Sequence, residues 1–275
     1  DLCAGRGGQP EEYVGVRRAG GRGLPTMLLP TTAGTGSEAT FVAILTDPST
    51  GNKVGVVDPA ILADVAVVDP ELTDGLPQGV TAAAGMDAWV HAIEAYVATV
   101  STPIARGLAL EAARHLGAGL EAACRDGGDR AARDAMAVGA HLAGMAFANS
   151  SCCAVHALSL PLGGRFHIPH GVITGCFAGA LVRHAGDACA ADILALSIAF
   201  GFGPLSPAAF ADALDGTAAR IGLERVLRSV PVPEAAIAGM AKDAVANRRL
   251  MDPNPVAVSE ADAARIFRSV LVIVP

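Results

Sequence analysis

Between Ala135 and Gly164 the chain reads "AMAVGAHLAGMAFANSSCCAVHALSLPLGG", a stretch without one Asp, Glu, Lys or Arg. A run of that length with no charge has two places to go, the hydrocarbon of a membrane or the middle of a sizeable core. A spanning helix needs roughly 20 predominantly apolar residues. This stretch is interrupted by His141, Asn149, Ser150, Ser151, His156 and Pro161. Its small residues and polar breaks suit a buried helix of a globular protein. The expectation is a core helix that ends near His156, and no membrane association.

The rest of the chain supplies that core. Of 275 residues, 52% are hydrophobic, which excludes a disordered composition and allows one large domain or two modest ones. Net charge is −7, and Lys53 and Lys242 are the only lysines, so no nucleic-acid surface is expected. Cys3, Cys124, Cys152, Cys153, Cys176 and Cys189 show no CxxC spacing. Cys152 and Cys153, adjacent in an apolar run, read as small core residues. With no signal peptide, the thiols are expected to be reduced in a cytoplasmic protein.

The character of the chain changes near Leu76-Pro77. Before it, short β-rich runs alternate with turn signals: "TMLLP" at 26–30, "FVAILTD" at 41–47, "KVGVVD" at 53–58 and "VAVVD" at 65–69. Several end at a proline, which stops a strand. After it, alanine- and leucine-rich patterns predict helices near 79–98, 103–123, 129–148, 189–200, 207–220, 234–247 and 259–271, with Ser259 as an N-cap. The expected organisation is an α/β part of modest size over 1–76 and an all-helical domain over 77–275. Four short strands with little helix between them are too few for a doubly wound sheet.

Within "AGMDAWVHAIEAY", Asp87 and His91 stand four apart, on one face of a helix that otherwise packs. That pair is either an ordinary hydrogen-bonded couple or half of a metal site. "CAVHALSLPLGGRFHIPHG", residues 153–171, adds His156, His167 and His170. Asp87, His91, His156 and His170 together make a four-ligand set suited to Fe²⁺ or Zn²⁺. His167 lies nearer a charged residue and the surface, which gives it a supporting role. "LLPTTAGTGSEAT", residues 28–40, is a strand entering a loop of Thr31, Thr32, Gly34, Thr35, Gly36 and Ser37. Such a loop is either a tight turn needing glycine or a place where amides and hydroxyls meet a phosphate-bearing ligand. Lys53, behind a turn at "STGN", is either an exposed edge-strand charge or a cation that meets a cofactor.

"PTTAGTGSE", "GMDAWVHAIEAY" and "VHALSLPLGGRFHIPHG", in that order, resemble the iron-containing alcohol dehydrogenases, whose pattern is PTTxGTGSE, GxDAxxHAxE and H-x3-H-P-L-G…PHG. The resemblance extends through "VVDPELTDGLP" and "NPVAVSEADAARIF". It implies a dehydroquinate synthase-like fold, α/β plus all-α, in which a Rossmann-like remnant precedes the helical metal-binding domain. It places the metal on Asp87, His91, His156 and His170, with iron favoured and zinc acceptable. It places NAD or NADP on Thr31, Thr32, Thr35 and Lys53. The implied reaction is hydride transfer between the nicotinamide and a small aldehyde or ketone, in a homodimer.

Two departures stand out. Where the family usually has a histidine that assists cofactor positioning or proton transfer, this chain has Leu160. His167 is the catalytic substitute expected to assist the proton. The family also begins with a GGGSxxD phosphate-binding turn, whose last residue matches Asp1. About a hundred residues of nucleotide-binding domain are therefore expected ahead of it. The resemblance also allows a hydroxyacid–oxoacid transhydrogenase, a maleylacetate reductase or a glycerol dehydrogenase. The full ligand set disfavours the maleylacetate reductases. A different reading is a truncated, non-catalytic fragment that folds and binds metal.

Overall fold

The computed structural model describes residues 2–46 and 53–275. Asp1, Asp47 and the expected turn at 49–52 lie outside the described residues. The α/β part begins with a short helix, α1 (Leu2–Arg6), and carries strands β1 (Gly15–Val16), β2 (Met27–Leu28), β3 (Val42–Thr46), β4 (Lys53–Val57) and β5 (Val65–Ala66). β1 pairs with β4 in parallel and β3 pairs with β4 antiparallel, with Thr46 opposite Lys53. β2 and β5 form a separate parallel pair. All four strand segments read from the sequence form strands, shorter than their apolar runs, and β1 was not expected. A two-residue parallel strand leaves almost no periodic signal.

The Asp-Pro pairs do more than end strands. Asp58 accepts hydrogen bonds from the amides of Ala60 and Ala19, each at 2.9 Å, so it caps a 3-10 turn and ties a distant loop to the end of β4. Asp69 caps the 3-10 turn Pro70–Thr73 in the same way, through the Glu71 amide at 3.0 Å. Leu2, Ala19 and Val56 make a small core under this sheet.

From residue 78 onward helices dominate: α2 (Gln78–Val97), α3 (Pro103–Arg125), α4 (Arg130–Ala148), α5 (Ala154–Phe166), α6 (His170–Ala185), α7 (Ala190–Ala199), α8 (Pro207–Arg220), α9 (Leu223–Arg228), α10 (Glu234–Ala246), α11 (Arg248–Met251) and α12 (Glu260–Val270). Thr102, Asp129, Ser206 and Ser259 each cap a helix by accepting the amide three residues on. One continuous core joins residues from Ala82 to Leu271. α2 runs through its centre, buried on every side from Gly85 to Tyr96. α3, α4 and α6 pack around it.

The uncharged stretch is two helices, not one ending at His156. Asn149 and Ser150 turn their side chains back onto the carbonyls of Met145 and Ala146, which ends α4. α5 starts afresh at Ala154, continues through Pro161, and places His156 in its first turn. No helix among the described residues is long and apolar enough to cross a membrane.

Candidate metal centre

Asp87, His91 and Glu94 recur at helical spacing on one face of α2, and that face points at the start of α5 and of α6. His156 and His170 complete the group from those two helix starts. His170 Nε2 lies 3.5 Å and His156 Nε2 3.7 Å from Asp87 Oδ1, and His91 Nε2 lies 3.9 Å from Oδ2. These separations are too long for hydrogen bonds. Donor atoms about 2.1 Å from a shared tetrahedral centre stand roughly 3.4 Å from one another. The donor atoms of Asp87, His156 and His170, all within 4.8 Å of one another, are therefore spaced as ligands around an ion can be, with His91 beside them. Two buried ring nitrogens, His91 Nδ1 and His156 Nε2, have no hydrogen-bond partner. Three imidazoles and a carboxylate suit Fe²⁺ or Zn²⁺, so the residues present fit a divalent metal.

The supporting residues fix these side chains. Glu94, buried, lies 2.6 Å from His156 Nδ1 and accepts the amides of Cys153 and Val155 at 2.7 Å each. One carboxylate thus satisfies orphan donors at the start of α5 and holds His156 with its Nε2 toward Asp87. Thr174 donates to Asp87 Oδ1 at 3.0 Å, and Ser159 Oγ lies 3.2 Å from His170 Nδ1. His91 is packed between the rings of Phe147 and His156, at 4.4 and 4.7 Å between centroids. His170, with its side chain 45% exposed, is the open side of the group.

Electrostatics follow from this packing. Burial alone would raise the Asp87 carboxyl, but His91, His170, His156 and the Thr174 hydroxyl outweigh it and hold it at about 2. Burial pushes His156 down, yet Cys152 and Glu94 lift it well above its ordinary value. His91 is raised against burial by Asp87 and Cys152. A metal bound here must displace that proton, while at His170 burial outweighs Asp87 and keeps the ring below its ordinary value.

Glu94 and Cys152 are the neighbours that sequence reasoning did not assign. Glu94 stands inside GxDAxxHAxE, so a motif position without a role was the available signal. Cys152 is buried as expected, but its sulfur lies within 4.8 Å of donor atoms on both His91 and His156. Burial opposes ionisation of this thiol, and the two imidazoles outweigh it and hold it below its ordinary value. Cys153, next in sequence, points to the Glu94 carbonyl, and burial pushes its thiol far up.

His167 is exposed and caps α5 in the left-handed conformation, at φ 54°, three residues before His170. Leu160 is half-buried on α5, one turn beyond His156. Thr31 and Thr35 are exposed and Thr32 is half-buried. Their loop presses on the helices: a Cβ on Gly34 would lie 2.6 Å from the Ala84 carbonyl oxygen, one turn before Asp87, and one on Gly36 2.6 Å from Gly144 Cα in α4. The glycine-turn and ligand-loop readings of GTGS are therefore compatible. Lys53 opens β4, exposed, in a different sheet from the strand that leads into the threonine loop.

Residues 81–271 match the sequence model of the Fe-containing alcohol dehydrogenase family, C-terminal, and residues 2–70 that of iron-containing alcohol dehydrogenase. The chain belongs to this family. It is 40% identical over 262 residues to long-chain-alcohol dehydrogenase 1 of Geobacillus thermodenitrificans, covering 93% of this chain and 66% of that one. It spans just under two thirds of that relative. An alcohol dehydrogenase from Oenococcus oeni superposes with a TM-score of 0.89 at 28% identity, over 98% of this chain and 73% of that one. Sulfoacetaldehyde reductase from Bifidobacterium kashiwanohense, in complex with NAD⁺, superposes at 0.83 with 32% identity, over 90% and 65%. The family fold of an α/β part followed by a helical domain is therefore the fold of this chain.

Proposed function

We propose that this chain carries the metal centre of an alcohol dehydrogenase that exchanges hydride between NAD or NADP and a small aldehyde, ketone or alcohol. The carrying observation is the convergence of Asp87, His91, His156 and His170 at ligand spacing. When bound, the metal polarises the substrate oxygen and the nicotinamide supplies or accepts the hydride. Asp87 and the three histidines hold the ion, which is iron by family membership, while the donor set also accepts zinc. Glu94, Thr174 and Ser159 orient those ligands. Phe147 and the buried face of α2 keep water from the inner side, which strengthens electrostatic contacts there. The half-exposed His170 marks where substrate enters. Thr31, Thr32 and Thr35 offer hydroxyls and amides to the dinucleotide from a loop that abuts α2, and Lys53 offers its ammonium to ribose or phosphate. Leu160 carries no proton, so His167, on the turn before His170, exchanges the alcohol proton with solvent. The reading includes a cytoplasmic location, in keeping with six unpaired cysteines, and a homodimer as the family resemblance implies.

A second reading is a metal-binding chain with little dinucleotide affinity. The division of the described strands of the α/β part into two small sheets favours it, because dinucleotides bind across the carboxyl ends of a continuous parallel sheet. Two measurements separate the readings. Metal analysis of wild type and His156→Ala is expected to show bound iron or zinc only in the wild type; equal contents would sink the metal centre. Fluorescence titration of NADH and NADPH, with aldehyde reduction followed in parallel, tests the cofactor. Metal without nucleotide binding would favour the second reading.

A further inference from the structure

We propose that Cys152 supplies a thiolate ligand to the metal centre, so that the donor set of this chain contains sulfur as well as nitrogen and oxygen. The proposal rests on the reading that the centre binds a divalent ion. Two overlapping groups of donors meet at His156. One is Asp87, His156 and His170, which opens to solvent; the other is His91, Cys152 and His156, with all three residues buried. Within each group the donor atoms lie within 4.8 Å of one another.

The inner group contains the unsatisfied atoms. His91 Nδ1 and His156 Nε2 are buried without hydrogen-bond partners, in residues only 5% and 7% exposed. His91 already turns its Nε2 toward Asp87, and one ring cannot give both nitrogens to one ion. The buried atom that a shared ion satisfies beside the Cys152 sulfur is therefore His156 Nε2; a thiol, a weak donor, leaves it undersatisfied. The sulfur is also held in place. Cys152 belongs to the link between α4 and α5, and Glu94 clamps that link through the Cys153 and Val155 amides. Cys153 does not compete, because its sulfur faces the Glu94 carbonyl at 3.9 Å.

Charge allows it. Asp87 is the one anionic donor of the four, the Glu94 carboxylate stands behind His156, and a Cys152 thiolate adds a second anionic donor in direct contact with the ion. On binding, the S–H bond breaks, its proton passes to solvent, and the sulfur electron pair goes to the metal, with no change of oxidation state. A soft thiolate beside imidazole shifts preference toward zinc relative to a purely nitrogen and oxygen site.

The test uses Co²⁺ added at one equivalent to the metal-stripped protein. Visible ligand-field bands report that the centre binds at all; near-ultraviolet sulfur-to-cobalt charge transfer reports the thiolate. Wild type should show both, Cys3→Ser both, and Cys152→Ser the visible bands alone, with zinc affinity reduced about 10-fold or more. Visible bands without charge transfer in the wild type, or charge transfer that survives Cys152→Ser, would overturn the proposal while leaving the metal centre standing. Absence of visible bands from the wild type would overturn both. X-ray absorption of the zinc-loaded wild type decides independently of any variant. A sulfur scatterer in the first coordination sphere supports the thiolate, and its absence overturns it.

Discussion

A single carboxylate, Glu94, decides where His156 points. It lies 2.6 Å from the ring and also accepts two amides at the start of α5, so the imidazole cannot turn without releasing a helix start. Glu94→Gln keeps the shape but removes the charge from all three contacts, and its amide nitrogen, a donor, cannot accept at least one of them. Carboxylates that orient a metal-binding histidine are worth about 10–100-fold in affinity. Zinc affinity of Glu94→Gln, measured by competition with a chelating dye, should fall within that range; an unchanged affinity would mean that Glu94 only builds the helix. At this scale the sequence was partly legible. Four separated positions matched a chemistry, and those four positions do converge. Cys152 was not legible, because a cysteine in an apolar run looks the same whether its sulfur meets a methyl group or an imidazole. Only the break between α4 and α5 turns it toward His91.

Among elements, the helix boundaries were the most readable feature. Capping residues and prolines mark them chemically, and 207–220 is matched by α8 end to end. The end of α4 at Ala148 was legible in the pattern over 129–148, whereas the fresh start of α5 at Ala154 was not, because what starts it is Glu94, some sixty positions away in sequence. The strands were harder, since short pairs in two sheets depend on contacts that no local pattern encodes. Asp58 is one such contact. It joins the end of β4 to Ala19, and the amides of Ala60 and Ala19 hold its carboxyl below the ordinary value of 3.8. A carboxyl lowered in the folded state stabilises above its unfolded value and loses that contribution as pH falls. The α/β part should therefore weaken as pH drops through about 4 and below. Asp58→Asn should cost about 1–2 kcal/mol at neutral pH and flatten that acid dependence. Urea unfolding at pH 7 and pH 4, with hydrogen exchange of the Ala19 amide, would show it; parallel acid curves for variant and wild type would count against this role.

For the molecule as a whole, the proposed ligands tie the middle of α2 to the starts of α5 and α6, so an ion bound there links elements far apart in the chain. Ligands that bind only the folded state stabilise it by mass action, about 4 kcal/mol at a thousandfold excess over the dissociation constant. For a chain of this size that corresponds to about 10 °C in melting temperature. Melting of zinc-saturated and chelator-treated protein should differ by an amount of that order, and coincident curves would show that no ion links these helices. The seam between the two parts has another consequence. At Gly36, φ is 57° and no side chain stands between its backbone and that of Gly144, while three residues from Gly144 the ring of His141 lies 2.9 Å from Glu38. Side chains between moving bodies act as bearings, sliding from one rotamer to the next. Bare backbone has no such play. If the α/β part swings relative to the helices, this point stays still and becomes the fulcrum. The threonine loop, lying on the fulcrum, then keeps its distance from Asp87 through the whole swing, while the far strands travel.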